Sequence, residues 1–198
     1  GYAFELLAGG QAHRLILNVA PRHGKSQLAK LYAAWMAGRF PGQSLIYATY
    51  NQDFADDIGR DVRALMTSHR YALVFPEVQL AQGSQASGRM RTNKGGSLFF
   101  VGRGGAITGR GGDTLIVDDP IKDAEEAKSN TIRENLWNWF ANVFLTRAMT
   151  DKAAVVLIQT RWHEDDLPGR LTDPSNPSYD PFEARRWLKV DMPALCTD

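Results

Sequence analysis

The sequence has few of the features that place a protein in an oxidising compartment or a membrane. Its 198 residues include one cysteine, Cys196, so no disulfide can form within the chain. This composition fits a reducing cytosol. No apolar run approaches the roughly 20 residues needed to cross a bilayer, and no secretory signal opens the chain. We therefore expect no membrane partner.

Strong charge of either sign is also lacking. The formal net charge is +1 at pH 7, so any contact with nucleic acid must depend on local clusters rather than on a global field. One such cluster is the small basic loop with Arg89, Arg91 and Lys94, which in most proteins would simply be solvated. With 43% hydrophobic and 23% charged residues, the composition excludes disordered and fibrous classes.

The length and the ends of the chain bear on its domain organisation. We expect a single domain over residues 1–198, with a core at about 15–171 and a loop and edge strand at 172–198. The chain opens at Gly1 without a methionine and stops at Asp198 without a terminating pattern. We interpret it as a piece of a longer polypeptide.

Apolar runs alternate with helical periodicities, which is typical of a mainly parallel α/β sheet flanked by helices. Strands are predicted at 15–19, 44–50, 97–101, 114–119 and 153–160, with an edge strand at 187–190. Helices are predicted from about 25 to Pro41, over 54–66, and as one long helix over about 124–149. The segment 168–181 is loop-like in composition.

The first candidate site is a phosphate-binding loop between the first strand and its helix. Gly24, Lys25 and Ser26 stand at this junction, where helix N–H groups and the helix dipole favour phosphate. Lys25 would reach the β- and γ-phosphates, and the Ser26 hydroxyl would ligate Mg²⁺. The pattern is imperfect, because Val19 stands where the first glycine is usual. A serine at a helix start is also a common cap.

The second candidate site is the acidic end of the strand at 114–119. We expect this strand to lie beside the first, which would bring Asp118 to the magnesium and Asp119 to the attacking water. An aspartate at the second position is one methylene shorter than the usual glutamate, so Glu125 or Glu126 stays an alternative. Two solvated acids in a strand-to-helix turn are the alternative interpretation, which the phosphate loop disfavours.

Several of these segments together resemble the large terminase subunit of tailed bacteriophages, the motor that packages DNA into procapsids. The loop with Pro21, Arg22 and His23 before Gly24 is similar to the divergent Walker A loop of that family. The glycine-rich segment 104–112, the run 118–123 and the segment 159–163 resemble its other motifs. The resemblance covers about residues 15–171.

The resemblance implies a P-loop NTPase fold of the ASCE or RecA-like type, with ATP and Mg²⁺ as cofactors. It implies hydrolysis that drives double-stranded DNA through a portal, in the host cytoplasm during phage assembly. The implied partners are the DNA, the portal protein, the small terminase subunit and a homo-oligomeric ring. The isolated domain is expected to be monomeric. Large terminases also carry a C-terminal nuclease domain, for which this chain is too short.

The resemblance also implies roles for single residues. Arg22 would contact the triphosphate from within the loop, and Arg110, with Arg103 second, would act as a finger in a neighbouring subunit's site. A guanidinium there stabilises charge on the transferring phosphoryl group. Thr160 would sense the γ-phosphate and couple hydrolysis to movement, although threonine also suits a strand end. Residues 162–166 are interpreted as a polar turn that starts a helix.

Two other functions stay open on the sequence alone. A RecA-like helicase or translocase core would share both nucleotide motifs, but helicases usually carry a second RecA-like domain, which is not evident here. A nucleotide-regulated binding module with little hydrolysis is the alternative from another class. A small-molecule kinase is disfavoured because no lid or acceptor site is evident.

Overall fold

A computed structural model describes residues 14–83, 88–107 and 109–194. Cys196, Thr108 in the glycine-rich segment, and the chain start fall outside these ranges. In chain order the strands and helices are β1 Arg14–Val19, α1 Lys25–Arg39, β2 Ser44–Thr49, α2 Gln52–Met66, α3 His69–Val74, β3 Arg89–Arg91, β4 Ser97–Gly102, β5 Thr114–Asp118, α4 Ala124–Lys128, α5 Asn130–Trp139, β6 Ala154–Gln159, α6 Leu167–Thr172, α7 Pro181–Ala184 and β7 Trp187–Met192.

The seven strands of the described residues form one sheet in the order β3-β4-β2-β5-β6-β1-β7. Each pairing is parallel except that of β3 with β4, which is antiparallel. The predicted mainly parallel α/β sheet is therefore confirmed, and so is the edge strand, which runs on to Met192. Since parallel strands end at a common edge, the residues that follow β1, β5 and β6 meet there.

The strand order corrects one expectation about the site. β5 does not lie beside β1, because β6 pairs with both and stands between them. Local hydrophobic patterns predict that a segment is a buried strand but not which neighbour it takes. The result places Thr160, directly after β6, between the phosphate loop and the acidic strand end.

Apolar layers cover both faces of the sheet. Residues of α1 and α2, such as Ala33 and Ile58, pack on one face with Tyr47 and Ile116. Residues of α5 and of the segment after it, such as Phe140, pack on the other. The alternation of side chains along a strand therefore assigns Asp118, two residues after Ile116, to the face covered by α1.

The predicted long helix over 124–149 is wrong as a continuous element. It is interrupted at Ser129, which has an extended backbone and whose hydroxyl accepts the N–H of Ile132 as the cap of α5. The chain then continues as a π-helical turn, Phe140–Phe144, and a 3₁₀ turn, Leu145–Arg147. Serine is a favoured cap because its side chain replaces a missing helical partner.

One further segment differs from expectation. The loop-like stretch 168–181 contains α6, whose N-cap Asp166 accepts the N–H of Gly169 and whose first turn includes Pro168. Proline is tolerated in the first turn because that N–H lacks a helical partner anyway. The polar turn at 162–166 is thus confirmed as a helix start. Within the described ranges, no helix is long and apolar enough to cross a membrane.

An ionic cluster around the buried Arg170 joins α5 to α6. The Arg170 guanidinium, 3% exposed, donates to both oxygens of Asp165 at 2.8 and 2.7 Å and to Glu134 at 2.7 Å. Arg133 and Asn176 also donate to Asp165. These donors, with Arg170 first, hold the pKa of Asp165 well below its usual range. The cluster fixes the segment that follows Thr160 against α5.

Replacing Asp165 by asparagine is expected to lower the free energy of unfolding at pH 7 by about 1–3 kcal/mol. A carboxyl whose pKa is depressed by folding stabilises the fold above its unfolded pKa of about 4 and loses that effect as pH falls. The difference between parent and variant should therefore shrink below about pH 4. Urea unfolding at pH 7 and pH 3 measures it, with Glu125→Gln at an exposed ion pair as the control. A difference independent of pH would contradict the charge-based account.

Candidate active site

The phosphate loop joins β1 to α1 through two residues of left-handed backbone. Arg22 has a φ of 63°, and Gly24, the N-cap of α1, has a φ of 78°. Nothing lies within 4 Å of the position that a Cβ on Gly24 would take, so the backbone there is open to a ligand. The first N–H groups of a helix have no partner within it, and they point out of its start. Pro21, Arg22, His23 and Gly24 are all exposed.

His23 has a local role in this loop. Its Nδ1 lies 2.8 Å from the carbonyl oxygen of Pro21, which closes the turn before Gly24. At the other side of the turn, the Leu28 N–H donates to the Gly24 carbonyl at 2.9 Å, as the first bond of the α1 ladder. Pro21 and His23 therefore close the turn that leads into the start of α1.

Lys25 and Asp119 meet across the edge of the sheet. The Lys25 ammonium Nζ lies 2.9 Å from Asp119 Oδ2, and the two side chains are 12% and 22% exposed. Asp119 has a left-handed backbone with a φ of 44°, and its N–H extends the β5–β6 ladder to the Ile158 carbonyl. Left-handed aspartate is uncommon and costs about 1–3 kcal/mol. The turn brings a short carboxylate to the phosphate loop.

Thr160 connects the ends of β1, β5 and β6. Its N–H donates to Asp119 Oδ1 at 3.1 Å, and its hydroxyl donates to the Val19 carbonyl at 3.2 Å. Thr160 is 7% exposed. Both Asp119 and the end of β1 are thereby attached to the residue that follows β6. The sequence predicted the strand-end position of Thr160 and its border with β5, but not the bond to β1.

Asp118, the residue before Asp119, is fully buried. Its Oδ2 accepts the Tyr47 hydroxyl at 2.7 Å, while Oδ1 makes no well-formed hydrogen bond to any described residue. The Ser26 hydroxyl nevertheless faces the carboxyl closely enough to lower its pKa. Burial, followed by the charge of Asp119, outweighs these donors and Lys25 and raises the pKa of Asp118 to about 6. A positive group in addition to Lys25 would offset the cost of burying the ionised Asp118 carboxylate.

These residues fit a magnesium ion. Carboxylate and hydroxyl oxygens are the ligands that Mg²⁺ prefers, usually with several waters retained. Asp118 Oδ1 and the Ser26 hydroxyl supply both types beside the phosphate loop, and the oxygen that lacks a hydrogen bond is the one available. No cluster of three or more His, Cys, Asp or Glu side chains able to hold a metal occurs in the described part of the chain. A site completed by phosphate oxygens is consistent with that finding.

The alternative carboxylates are engaged or remote. Glu126 pairs with Arg103 at 3.0 Å and also accepts the Lys122 N–H. Glu125 is 89% exposed and pairs with Lys128. Neither is joined to Lys25 by a hydrogen bond or ion pair among the described residues, so the arrangement favours Asp119 as the acid of the site.

The two candidate arginine fingers lie in different surroundings. The Arg103 guanidinium donates to the Pro120 carbonyl at 2.9 Å and to Glu126, so it is held beside its own acidic strand end. The Arg110 guanidinium lies 4.2 Å from the ring centroid of Phe99, a cation–π contact. Arg110 therefore contacts a side chain of β4, whereas Arg103 contacts the residues that follow β5.

Together, a parallel sheet with a phosphate loop after β1 and acids after β5 defines the P-loop NTPase class, of the RecA-like type. The sequence matches the family described as terminase large subunit, T4likevirus-type, N-terminal, over residues 16–194. The chain belongs to this family of large terminase subunits.

Solved structures show the same fold. The ATPase domain of the large terminase from Thermus phage P74-26 superposes with a TM-score of 0.51 at 17% identity, covering 91% of this chain and 75% of that one. A mutant of that domain gives 0.54 at 16% identity, covering 96% and 79%. The large terminase of bacteriophage HK97 gives 0.54 at 14% identity, covering 89% of this chain and 37% of its own length. Curated protein sequences give no match.

Tyr47 is the contributor to the site that the sequence did not predict. A tyrosine within an apolar strand is typical of a buried core position. Its contact with Asp118 depends on the pairing of β2 with β5, which a local pattern does not contain.

Proposed function

We propose that this chain hydrolyses ATP with Mg²⁺ and that, as the ATPase domain of a packaging motor, it drives double-stranded DNA into a procapsid. The observation that supports hydrolysis is the 2.9 Å contact of Lys25 with Asp119, next in sequence to the buried Asp118, of which Oδ1 has no hydrogen-bond partner among the described residues. Family membership supports the packaging role. The DNA, the portal protein, the small terminase subunit and a ring of copies are the partners proposed with it.

Each group has a distinct task in this mechanism. The α1 N–H groups and Lys25 bind the phosphates, and Arg22, exposed in the loop, contacts the triphosphate from outside. Ser26 and Asp118 would hold the magnesium ion, which would supply positive charge against the negative charge of the phosphates. ATP phosphates compete with Asp119 for Lys25, and the released Asp119 carboxylate then polarises the attacking water. Thr160 is hydrogen-bonded to Asp119 and to Val19 at the end of β1. It senses the γ-phosphate and couples hydrolysis to movement of these two segments.

The test is phosphate release from ATP and Mg²⁺ at several protein concentrations, with and without double-stranded DNA. We expect slow turnover that rises steeply with protein concentration, because the finger comes from a neighbour. A high rate at nanomolar monomer would contradict the assembly model. A parent that binds ATP but stays silent under all conditions favours the nucleotide-regulated binding module instead. Equal stimulation by single-stranded nucleic acid would favour the helicase or translocase core.

Arg110→Ala is expected to lower the assembled rate at least about 100-fold, because finger arginines contribute large factors to phosphoryl transfer. Lys25→Ala should be inactive for a different reason. Its own phosphate loop cannot bind ATP properly, but its Arg110 can still act in the site of a neighbouring chain. Mixing the two variants at high concentration should therefore restore part of the activity, measured as phosphate release against each variant alone. A mixture that stays inactive, or an Arg110→Ala chain at the parent's rate, would assign the finger elsewhere. The matched variant Arg103→Ala tests the second candidate.

A further inference from the structure

Among the described residues, Tyr47 is the side chain within the sheet that donates a hydrogen bond to Asp118. It lies within β2, opposite Ile116 of β5, and the diagonal neighbour on the same face is Asp118. The Tyr47 side chain is fully buried, and its ring packs against Phe100 with centroids 5.7 Å apart. Strand pairing and ring packing together fix where the hydroxyl lies.

The hydroxyl holds only one of the two carboxylate oxygens. It donates to Asp118 Oδ2 at 2.7 Å, while Oδ1, also buried, makes no well-formed hydrogen bond to a described residue. A carboxyl group can otherwise rotate about its terminal torsion through a broad range. Because one oxygen is anchored in the core, the rotation of the carboxyl group is restricted and Oδ1 is the oxygen left for another partner. Such hydrogen bonds from outer partners orient metal ligands and affect metal affinity.

We propose that Tyr47 is a positioning residue for magnesium, which holds Asp118 so that Oδ1 faces the ion beside the phosphate loop. This inference rests on the proposed function. Tyr47 touches neither the nucleotide nor the metal and acts through Asp118 alone. A hydroxyl that merely satisfied a buried acid would affect stability, whereas a positioning hydroxyl also affects how much Mg²⁺ the nucleotide site requires.

The test compares Tyr47→Phe with the parent in binding of a fluorescent ADP analogue, titrated with Mg²⁺ and then in excess chelator. Phenylalanine keeps the ring that packs on Phe100. We expect the Mg²⁺ concentration for half-maximal effect to rise about tenfold, within the range known for outer partners of metal ligands. Affinity for the analogue in chelator should change less than about twofold. Binding of Mn²⁺ in the presence of ADP, followed by electron paramagnetic resonance, gives the same comparison without turnover.

Tyr71→Phe is the matched control. Tyr71 is also a buried tyrosine, and its hydroxyl donates to the Ala34 carbonyl at 3.1 Å, away from the acidic strand end. It should lose stability without any change in Mg²⁺ dependence. A Tyr47→Phe chain with the parent's Mg²⁺ dependence would overturn the proposal, as would an equal loss of affinity with and without metal. A parent whose nucleotide affinity ignores Mg²⁺ overturns the proposed function itself.

Discussion

Asp119→Asn is expected to lower ATP turnover at least about 100-fold while nucleotide still binds, because a general base contributes about 10²–10⁴ to such a step. Asparagine has the same shape but cannot polarise water as a carboxylate does. The change also removes the ion pair that occupies Lys25 at 2.9 Å. Affinity for ATP should therefore be equal to the parent's or higher. Phosphate release and equilibrium binding of a fluorescent ATP analogue measure the two effects separately.

The controls for this prediction lie in the next turn of the chain. Glu126→Gln should lose part of the Arg103 contact and some stability, and Glu125→Gln should behave as the parent because Glu125 is exposed. If Asp119→Asn keeps full turnover, the acid of the reaction is elsewhere, and whichever glutamine variant is silent identifies it. Loss of nucleotide binding in Asp119→Asn would show that the residue holds the loop rather than the water.

Lys25→Ala is expected to abolish turnover and to weaken ATP binding at least about tenfold, since a hydrogen bond to a charged group contributes about 1.5–3 kcal/mol. The ammonium is the only cation that the structure pairs with Asp119 among the described residues. Its removal leaves a carboxylate next to the phosphate site, which adds repulsion to the lost contact. Isothermal titration with ATP and Mg²⁺ measures the binding term.

Lys30→Ala provides the matched comparison. Lys30 lies on the same helix and also forms an ion pair, at 2.8 Å with Asp61, but on the α2 side. The substitution removes the same charge and the same helix-forming side chain without touching the phosphate loop. If both variants weaken ATP binding equally, the effect comes from net charge or from α1 itself, and the assignment of Lys25 to the phosphates fails.

Local pattern in this sequence predicted the elements better than their arrangement. The strands that carry Val19, Asp118 and Gln159 were predictable because they are apolar along most of their length, as buried parallel strands are. Their order was not, since the insertion of β6 between β5 and β1 is a long-range choice. The break at Ser129 was missed because the helical periodicity continues on both sides of it. Ser129 is a local signal for a helix cap, but the helical periodicity around it is the stronger signal.

The candidate site divides in the same way. Gly24, Lys25 and Ser26 were predictable because phosphate binding needs those residue types at a strand-to-helix turn. The reach of Asp119 was not, because it depends on a left-handed backbone that permits a short side chain to meet Lys25. The contribution of Tyr47 depends on strand register alone.

The position of β7 limits how the domain can be shortened. This strand pairs with β1 along its full length, from Arg14 opposite Trp187 to Val19 opposite Met192, and the Ala20 N–H continues to the Met192 carbonyl. The strand that leads into the phosphate loop thus depends on residues near the far end of the sequence. A truncation before Trp187 would leave β1 as an unprotected sheet edge, prone to pair with other molecules. We expect the smallest soluble fragment with an intact nucleotide site to extend through Met192.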